Sequence, residues 1–260
     1  MVIPVHDANP TRRTPWVTYA LIIVNFVVFF ALEPINHFPT VSSTQTVGQF
    51  CEQQRFFDDY AAVPKELIDN QNLPPHRVVV STNQGPVACP VVKESVPPVL
   101  TVLTAMFLHG GLLHILGNML FLWVFGNNIE DRLGPLRYLV FYLVAGYVAT
   151  YAFAFANAGS TESLIGASGA IAGVLGSYLV LYPRARVTTL VPFLFFIPFR
   201  LPAWVVLGFW FVLQYAYASG SAVASGAGVA YLAHVAGFVF GVLVTLLLLD
   251  RHRPAPLRQV

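Results

Sequence analysis

Two stretches of this chain carry no Asp, Glu, Lys or Arg: everything between Glu94 and Glu130, and everything between Arg200 and Asp250. Each is longer than the roughly 20 apolar residues that cross a bilayer as a helix. A chain of 260 residues folded in water would need a charged surface, yet only 10% of these residues are charged and 56% are hydrophobic. The formal net charge is +2, without a basic stripe, and the cysteines number 2. Those figures exclude a nucleic-acid binder and a disulfide scaffold as well as a soluble enzyme. The composition predicts an all-α polytopic membrane protein.

Six apolar runs read as transmembrane helices: 16–32, 112–128, 136–156, 166–182, 203–218 and 229–249. The first follows Arg12 and Arg13 as a signal peptide would. It is longer than a usual signal core and has no small-residue cleavage site after it, so it reads as a retained helix. The stretch 187–199 is apolar but broken by Pro192 and Pro198, which predicts an interfacial or re-entrant segment. The Gly/Ser/Ala-rich 219–228 reads as a turn.

Six spans put both termini on one side, and the cations choose it. Arg12, Arg13, Arg132, Arg137, Arg184, Arg186, Arg200, Arg251, Arg253 and Arg258 fall on the side of the termini. Arg55, Lys65, Arg77 and Lys93 all lie in the one long connection, 33–111. The expected topology is N-in/C-in, with a cytoplasmic tail 1–15, a membrane core 16–249 and a second tail 250–260. Segment 33–111 is then an external loop, and 98–108 within it reads as an apolar helix lying in the interface.

Polar groups are costly inside spans and mark function by default. His109, His114 and Asn118 stand near the outer end of the second span, Ser168 opens the fourth within Gly166-Ala167-Ser168-Gly169, and His234 enters the sixth. The topology sets all of them at a similar shallow depth. His114 and Asn118 are i and i+4 and share a face. His234, Gly237 and Gly241 share another, and Ser168, Ala172 and Gly176 repeat every four residues on the fourth span. Facing small residues let two helices approach closely enough for a hydroxyl and an imidazole to meet. These residue types suit acyl transfer: Ser168 as nucleophile and His234 as general base and acid. The Ser168 and Ala167 backbone N–H groups, with His114 and Asn118, would donate to an oxyanion. No carboxylate is expected at that level, so the pair would act as a dyad.

At these residues the chain resembles the rhomboid intramembrane serine proteases. The resemblance rests on His114-Ile-Leu-Gly-Asn118, Glu130-Asp131-Arg132-Leu133-Gly134, Gly166-Ala167-Ser168-Gly169, and Ala233-His234 followed by Gly237 and Gly241. It implies a six-helix fold, a Ser/His dyad with an oxyanion pocket, and single-span membrane proteins as substrates. It also implies that the fifth helix and last external loop serve as gate and cap. Ala172 stands where some members carry an aromatic residue that packs on the catalytic histidine, and the Trp-Arg pair found in the first loop of some bacterial members is absent. Neither a cofactor nor a metal is expected. The histidines are spaced His-x-x-x-x-His without an acidic partner, unlike His-Glu-x-x-His. The expected location is a bacterial inner or plasma membrane.

Each residue alone has a plainer reading. Ser168 and the glycines suit helix packing, His234 an interhelical hydrogen bond, Asn118 a bridge between helices, and His109, on another face from His114, a loop-positioning role. Glu130 and Arg132 read as a cap and loop network. An ion- or proton-coupled transporter would use the same histidines, although such sites usually lie near the midplane. An inactive, client-binding relative would typically lack the serine or the histidine. Cys51 and Cys89 are both external in this topology, which predicts a disulfide between them.

Overall fold

The computed structural model describes residues 3–34, 47–74, 79–82, 85–89, 96–191, 197–220 and 230–248. The C-terminal tail 250–260, residues 221–228 of the expected turn, and Arg77, Lys93 and Pro192 lie outside the described residues. In chain order the helices are α1 (Trp16–Leu32), α2 (Val47–Tyr60), α3 (Pro64–Asp69), α4 (Pro98–Ala105), α5 (Leu112–Leu133), α6 (Pro135–Ala156), α7 (Ser168–Leu181), α8 (Ala203–Ala218) and α9 (Tyr231–Leu248). The strands are β1 (Ile3–Asp7), β2 (Val79–Thr82), β3 (Gly85–Ala88), β4 (Arg186–Val191) and β5 (Ile197–Pro202). Helices α5, α6 and α9 are long and apolar enough to cross a membrane, while α1, α7 and α8 are shorter and apolar.

Helix α7 is the axis of the bundle. Every residue from Ala170 to Tyr178 is buried, and the helix packs against α5, α6, α8 and α9. A helix apolar all round has to be enclosed on every side. Glycine sets how closely α9 approaches: a Cβ at Gly237 would strike the Gly169 carbonyl, one at Gly241 the Gly173 carbonyl, and one at Gly176 the Phe238 carbonyl. The two backbones are thus in direct contact. Helix α6 turns the opposite way along Leu136, Val140, Val144 and Val148, a row of exposed apolar side chains at four-residue steps. Such a row suits hydrocarbon and not water.

At one end of the bundle, called here the strand end, the all-α expectation is corrected. Strands β1, β4 and β5 form an antiparallel sheet in which Asp7 faces Val187 and Arg186 faces Pro202. Residues 187–191 and 197–199 of the apolar segment are therefore in paired strands, and residues 3–7 of the expected tail are a paired strand. The physical reason is local: Val187, Thr188 and Thr189 favour extended backbone. Pro198 faces Leu190 near the open end of the edge strand, where a missing donor is tolerated.

At the opposite end, the serine end, the described part of 33–111 is folded. Helices α2, α3 and α4 and the β2–β3 hairpin occupy it, and Cys51 and Cys89 are joined by a disulfide with Cα atoms 5.3 Å apart. This layer grips the bundle. Ala62 and Leu164 exchange backbone hydrogen bonds of 3.1 and 2.7 Å, which ties the α2–α3 junction to the segment leading into α7.

Candidate active site

Ser168 begins α7, and its approach is held from both sides. Gly166 N–H donates to the Ala105 carbonyl at 2.8 Å. Its φ is +117, and a Cβ there would also meet His114 Nε2 at 2.9 Å, so glycine alone fits both the backbone and the space. Ala167 provides no side-chain cap. The first amides of α7 consequently lack intrahelical acceptors and lie at the positive end of the helix dipole.

Two helices meet across this point. His234 Nε2, on α9, lies 2.7 Å from Ser168 Oγ. His234 Nδ1 lies 2.7 Å from Oε1 of Gln214, on α8. An amide oxygen only accepts, so Nδ1 carries the ring proton and Nε2 is left to accept from the serine hydroxyl. That is the tautomer a general base requires.

The donors expected from the second span are arranged around the same turn. His114 Nδ1 accepts the Gly110 N–H at 3.4 Å, which leaves Nε2 as the protonated nitrogen, beside Gly166. One turn deeper, the Nδ2 amide of Asn118 is buried and finds no acceptor among the described residues. A buried donor left unpaired is uncommon and asks for an explanation.

His109 packs against His114. It is wholly buried, with its ring edge-on to His114 at 5.1 Å between centroids, and its Nδ1 donates to the Phe107 carbonyl at 3.3 Å. Burial, with His114 as neighbour, holds its pKa down at about 3, so it is neutral packing behind His114. Its backbone N–H donates to Glu33 Oε1 at 2.9 Å. Burial pushes the Glu33 carboxyl up to about 7 in spite of that bond. Gly169 faces the Ala149 side chain of α6, and Gly237 and Gly241 face α7. Among the described residues no group of three or more His, Cys, Asp or Glu side chains could hold a metal ion.

Three neighbours of the site were not foreseen. Gln214 and Trp210 lie one turn apart on α8, and the Trp210 ring stands 6.0 Å from that of His234. Glu33 supports His109. A glutamine within an apolar run was the available signal for Gln214; the other two carried none that separates them from ordinary packing or loop residues.

The Rhomboid domain family model matches residues 97–251, more than half of the chain. The chain is similar to RHOMBOID-like protein 1 of Arabidopsis thaliana, at 28% identity over 64% of this chain and 39% of that protein. It is similar to mitochondrial Rhomboid protein 1 of Saccharomyces cerevisiae, at 29% identity over 58% of this chain and 42% of that one. Rhomboid protease GluP of Bacillus subtilis is 42% identical over a shorter stretch, 30% of this chain and 15% of that protein. The chain thus spans less than half the length of each of these relatives.

Proposed function

The chain belongs to the rhomboid family, and from that premise we propose that it is an intramembrane serine endopeptidase acting on single-span membrane proteins. One observation carries the reading: the 2.7 Å contact between Ser168 Oγ and His234 Nε2, made by two helices whose glycines let their backbones touch. In this reaction Ser168 Oγ attacks the scissile carbonyl while its proton passes to His234 Nε2. The negative charge on the carbonyl oxygen is met by the Ser168 and Ala167 N–H groups, His114 Nε2–H and Asn118 Nδ2–H. His234 then protonates the leaving amine, and water releases the acyl group by the same steps in reverse.

The six apolar helices α1, α5, α6, α7, α8 and α9 are the spans, with both termini in the cytoplasm. The cations support that topology. Arg12 and Arg13 bond through their backbone to Asp131, while Arg186 and Arg200 sit on the strand-end sheet, so the arginines gather at one end. A bacterial plasma membrane suits the Cys51–Cys89 bridge, which needs an oxidising side. No cofactor or metal enters the steps, since each proton has a named side-chain carrier.

The test is labelling by a serine-directed fluorophosphonate together with cleavage of a single-span substrate in vesicles containing the purified protein. Labelling mapped to Ser168, lost in His234→Ala, is the expected result. Cleavage that persists in Ser168→Ala would overturn the assignment, and ion flux that persists in that variant would move the protein to a transport role.

A further inference from the structure

We propose that Gln214 is a positioning residue for His234, fixing the ring tautomer from α8 so that the base is a side-chain triad in geometry, with a neutral amide as its third member. The proposal rests on the protease reading for its catalytic consequence, but its structural content stands on the 2.7 Å contact between Gln214 Oε1 and His234 Nδ1.

The chemistry of the third position favours an amide here. When His234 takes the serine proton it becomes an imidazolium, and an acceptor on Nδ1 strengthens its bond as that charge develops. A carboxylate would do the same at the cost of burying a charge within an apolar bundle. The glutamine oxygen supplies the acceptor without that cost. With no acceptor at Nδ1 the proton is free to move to Nε2, and a protonated Nε2 cannot receive the proton of Ser168.

A second observation points the same way. Trp210, one turn before Gln214 on the same face of α8, lies 6.0 Å from the His234 ring at 33° between planes. Tyr231 meets the ring edge-on from α9 at 6.3 Å and 89°. Support for the imidazole face therefore comes from α8, while α7 offers only Ala172, whose Cβ lies 3.3 Å from where a Cβ of Gly237 would stand. Helix α8 buries only Ala203, Val206 and Leu207, all in its first third. It meets the site chiefly through Trp210, at its middle, and Gln214, in its second half, which makes that stretch a working part of the dyad.

The experiment uses full-length protein with 15N-labelled histidine in detergent, His234→Ala to assign the signal, and two variants: Gln214→Met, which keeps the shape without an acceptor, and Gln214→Glu, which keeps an acceptor oxygen. The wild type is expected to show Nδ1 protonated and Nε2 unprotonated at His234. Gln214→Met should lose that signature and lower kcat about tenfold, the equivalent of one neutral hydrogen bond, with KM nearly unchanged. Gln214→Glu should restore most of both. An unchanged tautomer in Gln214→Met would overturn the proposal, as would equal impairment of the two variants with a raised KM and a lowered Tm. The tautomer is read without substrate. If the wild type cleaved nothing, the protease reading would fail while the hold of Gln214 on His234 was still decided.

Discussion

At the strand end, Glu130 accepts three hydrogen bonds, from Val17 N–H at 2.9 Å, Thr18 N–H at 2.7 Å and Thr18 Oγ1 at 2.8 Å. Asp7 Oδ2 accepts two more, from Tyr178 Oη at 2.6 Å and Asn128 Nδ2 at 2.8 Å. At the serine end, Asn118 Nδ2, His109 Nε2 and Glu33 Oε2 are buried and find no partner among the described residues. The strand-end carboxylates are thus well supplied with donors while a donor at the serine end is left open, although the Tyr138 hydroxyl near Thr18 is also buried without a partner among the described residues. Glu130 caps α1 from another helix, doing for Val17 and Thr18 what a local N-cap would do, since Pro15 has no side-chain donor or acceptor to offer. A completed cluster holds elements together. In the open one the Asn118 Nδ2 amide is a donor without an acceptor among the described residues, which is what stabilising a charge that exists only in a transition state demands.

The contrast predicts opposite failures. Ser168→Ala should lower cleavage by at least about a thousandfold, because members of such a unit fail together, and thermal unfolding in detergent should hardly change. Circular dichroism melts beside a cleavage assay would decide it; a melt that collapses with activity would put Ser168 among the packing residues. Glu130→Ala should do the reverse. Removing an acceptor shared by three donors, two of them buried, should cost about 3 kcal/mol of stability, with cleavage per folded molecule retained. A stable but inactive Glu130→Ala protein would dissolve the distinction between the two ends.

Asn118→Ala sharpens the comparison further. Loss of one oxyanion donor typically lowers kcat by about a hundredfold, and KM should stay near its wild-type value. The stability prediction is the more telling half: since Nδ2 has no acceptor among the described residues, its removal should leave the melting temperature level or slightly raised. A marked drop would show that Asn118 bridges helices.

The serine end was readable in advance because a bilayer makes polar side chains expensive, so Ser168, His234, His114 and Asn118 stand out against apolar neighbours. Spacing then put His114 and Asn118 on one face and predicted the glycine contact of α7 with α9. Gln214 was passed over. It lies in the outer half of its span, where polarity is cheap, and nothing local links it to a histidine 20 positions on. The strand end was less legible. The β-branched residues Val187, Thr188 and Thr189 are a strand signal, but one of the partners of this strand is Ile3–Asp7, and pairing across so much intervening chain leaves no periodic trace.

The smallest effect expected concerns the one property that the two ends share, a buried carboxyl with a raised pKa. Burial lifts Asp7 from 3.8 to about 6, against the opposing effects of the Tyr178 bond, the nearby His6 and the Asn128 bond. Burial lifts Glu33 from 4.5 to about 7, opposed by the His109 N–H. For an acid with a raised folded value, the native state holds the proton more tightly than the unfolded chain does. Stability therefore falls as pH rises, between about 4 and 6 through Asp7 and between about 4.5 and 7 through Glu33. The melting temperature in detergent should decline modestly over that range. Asp7→Asn should flatten the lower part of the decline, because an amide oxygen still accepts from Tyr178 and Asn128, and Glu33→Gln should flatten the upper part. The two losses should add, since the groups lie at opposite ends and share no partner. A melting temperature that rises across this interval would mean that both carboxyls are ionised in the folded protein, and the strand-end cluster would then be held by a charge on Asp7.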